Sequence, residues 1–193
     1  MIASRSAVIA AALGLSLGAL AGLSAFFAWP MLVSSEALTP PSHPKFAEVR
    51  WPFPVDEWGA GKAYRCGAAD CGVEVNVYVR AKIGFCNCTT GVSDDNELDR
   101  LSDFNLMGDK PAVLGPGHEI KIAWMKGRSR AYSVVEPYRA PGSVLAIAFN
   151  DRCDAIVATA TVAHDRPATI EPSVIDLLNS EAVVHWAEVT LGL

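Results

Sequence analysis

Between Arg5 and Glu36 there is no charged residue, and so long an uncharged stretch is not the surface of a water-soluble domain. From Ala37 onward the chain lacks HExxH, GxSxG, GxxxxGK(S/T) and CxxCH. That removes the zinc-protease helix, the serine-hydrolase elbow, the phosphate loop and haem attachment as sources of chemistry. An excess of basic charge is also missing. Sixteen Lys and Arg against 21 Asp and Glu leave a net charge of -5, which argues against nonspecific nucleic-acid binding. There is no internal repeat and no low-complexity tract.

What is present begins with an apolar run, Ala7 to Val33, whose 27 residues are enough to cross about 30 Å of hydrocarbon. A secretory signal has a shorter apolar core, so residues 1–36 read as an uncleaved signal anchor, a single transmembrane helix. Ser35-Glu36-Ala37 leaves peptidase cleavage as the alternative. Arg5 on the short side is a weak positive-inside signal that favours a single-pass protein of the inner membrane with its domain on the periplasmic side. Gly14, Gly18 and Gly22 recur every four residues and form a stripe where a second backbone can approach. The expected partner is another inner-membrane protein, or a second copy of the chain.

Residues 37–45 form a Pro-rich linker (TPPSHP from Thr39), stiff and extended, and residues 46–193 form the domain. Val49 to Trp58 carries three aromatics and two prolines and reads as a packed irregular segment. Val73, Val75, Val77 and Val79 alternate with polar residues and mark a half-buried strand. Ser93 or Asp94 can cap a helix, Asp94 with Glu97 having the capping-box offset, and its apolar face is Leu98, Leu101 and Phe104. Glu119–Met125 and Arg130–Val135 read as a hairpin turning at Lys126-Gly127-Arg128-Ser129. Val144–Phe149 and Ala155–Val162 are apolar on both faces, as central strands of a covered sheet are. A short helix is expected with Pro172 in its first turn, and Ala182–Leu191 is helix or strand. The fold class is α+β: a mainly antiparallel sheet with two or three helices. In element order alone it resembles small α/β/α sandwiches of the PsbP-like kind, a likeness of architecture that implies no activity.

Five cysteines stand in the domain. Cys66, Cys71, Cys86 and Cys88 flank one predicted strand, and in an oxidising space they are disulfide candidates, with Cys153 as a further partner and one thiol left over. Connectivity stays open. The rival reading is a thiol-redox or metal-handling protein using Cys66, Cys71, Cys86 and Cys88. Lys121, Lys126, Arg128 and Arg130 form a basic run beside Trp124 and Tyr132 that can grip an anionic partner or membrane lipid, or else neutralise the acidic helix of the same fold. The acids Asp94, Asp95, Glu97, Asp99, Asp103 and Asp109 lack calcium-loop spacing, and the four histidines, His43, His118, His164 and His185, are scattered. No motif calls for a cofactor or names a catalytic residue. The expectation is a membrane-anchored extracytoplasmic binding domain, non-catalytic, an accessory or assembly component of a membrane complex.

One consequence is testable in membranes. Gly18→Leu should weaken helix association by about 1–2 kcal/mol, because a bulky side chain pushes the backbones apart. Unchanged dimer or complex content, measured by crosslinking in the bilayer, would show the stripe to be compositional.

Overall fold

A computed structural model describes residues 44–107, 111–134, 142–163 and 167–193. Among these, β1 (Ala47–Val49), β2 (Lys62–Cys66), α1 (Ala68–Cys71), β3 (Val75–Lys82), α2 (Asp95–Leu101), β4 (Ala112–Val113), β5 (His118–Ile122), β6 (Met125–Val134), β7 (Gly142–Asp151), β8 (Asp154–Ala163), α3 (Pro167–Leu178) and α4 (Glu181–Leu191) follow in order. The strands make one antiparallel sheet in the order β1-β2-β3-β8-β7-β6-β4, with β5 also paired to β6. The class is α+β, as the sequence indicates. No helix among the described residues is long and apolar enough to cross a membrane; the segment expected to do so, with Gly14, Gly18 and Gly22, lies outside them.

The centre of the sheet is the β7–β8 hairpin, whose residues are apolar at successive positions and buried on both sides. Leu145, Ile147 and Phe149 point to one face, where α3 and α4 lie, and pack with Val75, Val77, Val79, Ile170, Val174, Val183 and Ala187. Val144, Ala146 and Ala148 point to the other face and meet Leu98 and Leu101 of α2. The alternation of β3 survives as expected, although the strand begins at Val75 rather than Val73. The Asp94 carboxylate accepts the Glu97 N–H at 2.9 Å, so the capping residue also agrees.

Three local expectations change. The hairpin turns at Ala123-Trp124, with Ile122 opposite Met125, and β6 runs straight through Lys126-Gly127-Arg128-Ser129. Gly127 is there because β7 passes close by: an added Cβ would fall on the Ala148 carbonyl oxygen and 2.7 Å from Phe149 Cβ. The turn instead places Ala123 at φ 50, a conformation costly for a residue other than Gly. Pro172 lies inside α3, which begins at Pro167; Ile170, Val174 and Leu178 recur every four residues into the core and offset the lost backbone bond. The ambiguous last element is helix α4, burying Val183 and Ala187. Counting the single turn α1, the described residues hold four α-helices rather than two or three.

If Gly127 is held by the closeness of β7, Gly127→Ala should lower stability by about 1–3 kcal/mol through overpacking. Gly115→Ala, where nothing stands within 4 Å of a new Cβ, should not. Denaturant midpoints of the two variants measure the difference, and equal midpoints would refute the close approach.

Candidate functional site

The four cysteines of the sequence analysis do not converge. Cys66 bonds Cys71 around α1, and Cys88 bonds Cys153 in the β7–β8 turn. Cys66 pairs with Val75 at one end of β3, while Cys86 follows its other end, about 24 Å away for eight residues of strand. Cys66 and Cys86 also lie in core layers on opposite faces of the sheet. A four-thiolate metal site is therefore not assembled, and among the described residues no three His, Cys, Asp or Glu side chains gather as ligands. Cys86 is the remaining free thiol and is buried. Burial pushes its pKa up, with the Glu97 and Asp154 charges adding and Arg100 opposing, so at rest it is a poor nucleophile. The two disulfides suit an oxidising compartment.

The basic run divides into two parts. Arg128 and Arg130 lie on the face of β6 that α2 covers: Arg128 donates to Asp95 at 2.7 Å, and Arg130 reaches Asp99 at 3.1 Å. The Tyr132 hydroxyl donates to the same Asp99, and burial followed by that carboxylate raises its pKa. Asp95 is held below the usual carboxylate range by the Gly117 N–H first and by the two arginines. Here the basic ribbon does neutralise the acidic helix of its own fold. Lys121 and Lys126 are different. They face each other across the β5–β6 hairpin, both exposed, and no described residue pairs with either. Between them Trp124 stands 44% exposed at the turn. The turn is braced from below, because Asn179, just past α3, accepts the Ala123 N–H at 2.8 Å and donates to Ile175 O at 2.9 Å.

A second buried charge cluster centres on β3. Arg80 is 2% exposed, on the β3 face that alternation assigns to solvent. It donates to both oxygens of Asp103, at 2.8 and 2.7 Å, and to both of Asp56, at 2.7 and 2.8 Å. Burial works against its charge, but these two acids outweigh it and raise its pKa; in return the Arg80 bond lowers that of Asp56. Lys82 reaches Asp103 at 2.8 Å and the Leu101 carbonyl at 2.6 Å, under the rings of Trp58 and Phe85. The irregular segment predicted at Val49 to Trp58 roofs this cluster, with Trp51, Phe53 and Tyr78 in edge-on contact. Its sequence signals are Asp103, at the end of the acidic run, and Asp56, an acid among aromatics and prolines.

The remaining candidates are occupied locally. Glu97 pairs with Arg100, and Asp103 with Arg80 and Lys82. His118 stands 3.0 Å from Glu171 of α3 and His185 3.6 Å from Glu188. His43, His164 and Asp109 lie outside the described residues.

The disulfides close loops of very different length, 5 and 65 residues. Loop-closure entropy then favours Cys88–Cys153 as the stronger staple, about 4 kcal/mol against about 2 kcal/mol. Replacing Cys88 and Cys153 together with Ala should lower the thermal midpoint more than replacing Cys66 and Cys71. The reverse order would mean that the local bond holds the β2–β3 end in a way chain entropy does not describe.

The chain matches no protein-family model and no curated protein. What the domain does has to be read from its own residues.

Proposed function

We propose that this chain is a non-catalytic binding component of a membrane complex, anchored by residues 1–36 in the inner membrane and joined by the linker at 37–45 to a periplasmic domain. The domain offers the Lys121–Trp124–Lys126 tip to an acidic protein surface. The observation that carries this reading is the contrast within one hairpin: Arg128 and Arg130 are matched by acids, whereas Lys121 and Lys126 are left exposed around a partly exposed indole. An exposed Trp supplies the kind of contact area that interfaces favour, and the two lysines beside it steer the encounter with an acidic partner.

Ala47 pairs with Arg65, so the domain starts at the sheet end marked by the Cys66–Cys71 bond. Ile122 opposite Met125 and Asp151 opposite Asp154 put the Trp124 turn and the Cys153 turn at the other end. Within the domain, the tip and the first strand's start therefore lie at opposite ends of the sheet. The two disulfides support the oxidising side of the membrane.

A photo-crosslinking residue at Trp124 of the full-length chain, in intact cells, should yield a discrete protein adduct that Lys121→Glu with Lys126→Glu reduces at least tenfold. Adduct yield insensitive to the charge reversal, adducts with lipid alone, or a reporter fusion placing residues after Ala37 in the cytoplasm would each refute the proposal.

A further inference from the structure

Three of the five cysteines meet at one end of the sheet. The Cys86 N–H donates to the Cys153 carbonyl at 3.1 Å, a bond that keeps the two Cα atoms within about 7 Å of each other. That spacing lies inside the range a disulfide can bridge. The Cys86 thiol donates to the Arg152 carbonyl at 3.2 Å, one peptide group from Cys153. Cys88, which holds Cys153 at a Cα separation of 4.1 Å, is exposed, whereas Cys86 is buried. Between them Asn87 folds a tight turn: its side chain accepts the Thr89 and Thr90 N–H groups, and its carbonyl accepts the Gly91 N–H at 2.7 Å. One cysteine of the pair is therefore buried and the other exposed, and both sit beside Cys153.

We propose that Cys86, Cys88 and Cys153 form a thiol–disulfide exchange unit, in which Cys86 takes over the bond to Cys153 and releases Cys88 as a surface thiol. In the step, Cys86 gives its proton to solvent and its thiolate sulfur attacks Cys153 Sγ. A Cys86–Cys153 bond forms and the Cys88–Cys153 bond breaks. The electron pair leaves on Cys88, which takes a proton from water. One disulfide and one thiol are present before and after, so no oxidant or reductant is consumed. The free thiol moves from a buried position to an exposed one, where a partner's disulfide can be attacked and a covalent link made. The unit is independent of the Trp124 tip and does not rest on the binding role proposed for it.

Two measurements test it. In the wild-type protein, prolonged native alkylation followed by unreduced peptide mapping should place adduct on Cys88 together with a Cys86–Cys153 bond, and Cys86→Ala should abolish that adduct. Adduct confined to Cys86, no adduct at all, or a Cys88 adduct that persists in Cys86→Ala would overturn the exchange. In Cys88→Ser, made in an oxidising compartment, the four remaining cysteines should give Cys66–Cys71 and Cys86–Cys153 and no free thiol. Two free thiols in a folded Cys88→Ser protein would show that Cys86 cannot reach Cys153, and would overturn the proposal.

Discussion

A β-hairpin that is apolar on both faces has to be covered on both faces, and β7–β8 sets this demand for the whole domain. Each Leu, Ile, Val or Phe side chain taken fully out of water contributes about 1.5–3 kcal/mol, so leaving either layer open would forfeit a large part of a typical domain stability. One face is met by α3 and α4, contiguous at the carboxy terminus. The other has no such pair. It is closed by α2 over β6 and β7, and by the irregular segment before β2, whose Trp51 and Phe53 lie against Tyr78.

Covering the second face with these pieces has an electrostatic consequence. The sheet residues beneath them include Arg80, Lys82, Arg128 and Arg130, all partly or wholly withdrawn from water. A buried cation without a partner would cost several kcal/mol. Every covering piece accordingly brings acids: Asp56 from the irregular segment, Asp95 and Asp99 from α2, and Asp103 just after it. In the Arg80 cluster two cations meet two carboxylates, and Lys82 also donates to the Leu101 carbonyl. Such a cluster specifies which segment lies where more than it adds to net stability. Taking away one partner costs about 3–5 kcal/mol, while replacing the whole set with apolar residues can be neutral. The acids of α2 with depressed pKa, Asp95 and Glu97, contribute stability at pH above the ordinary carboxylate range, and that contribution is lost as pH falls through their folded-state values.

The end of the sheet carrying the β7–β8 turn is organised differently. Two-residue turns hold Ala123 and Arg152 at positive φ, and the loop after β3 is tied to the second of them by Cys88–Cys153, by the Gly84 N–H to Asp154 and by the Val92 N–H to Asn150. A covalent bond and several polar ones there reinforce the packing of Cys86 and Val92. Polar and covalent fastening leaves side chains such as Trp124, Lys121 and Cys88 outward, whereas the middle of the sheet offers no exposed group of that kind.

Much of this was legible in the order of residues, because one-dimensional period reports burial directly. The double-faced run at Val144–Phe149 and Ala155–Val162, the alternation of Val75, Val77 and Val79, the Asp94 cap and the Pro-rich irregular segment all follow from local rules, as does the expectation of disulfides with one thiol to spare. Tertiary structure alone decided the rest. Gly127 signals a turn locally, yet the close passage of β7 makes it a strand residue. Arg80 alternates as a solvent-facing side chain, and it is buried because a segment 24 residues earlier folds back with Asp56. Arg128 and Lys126 are neighbours in one basic run; only the position of α2 separates the neutralised cation from the free one. Cys88 found Cys153 across 65 residues rather than a nearer thiol. Local pattern fixes how much of a side chain is buried, but which opposite charge or sulfur it meets depends on distances that exist only after the sheet has closed.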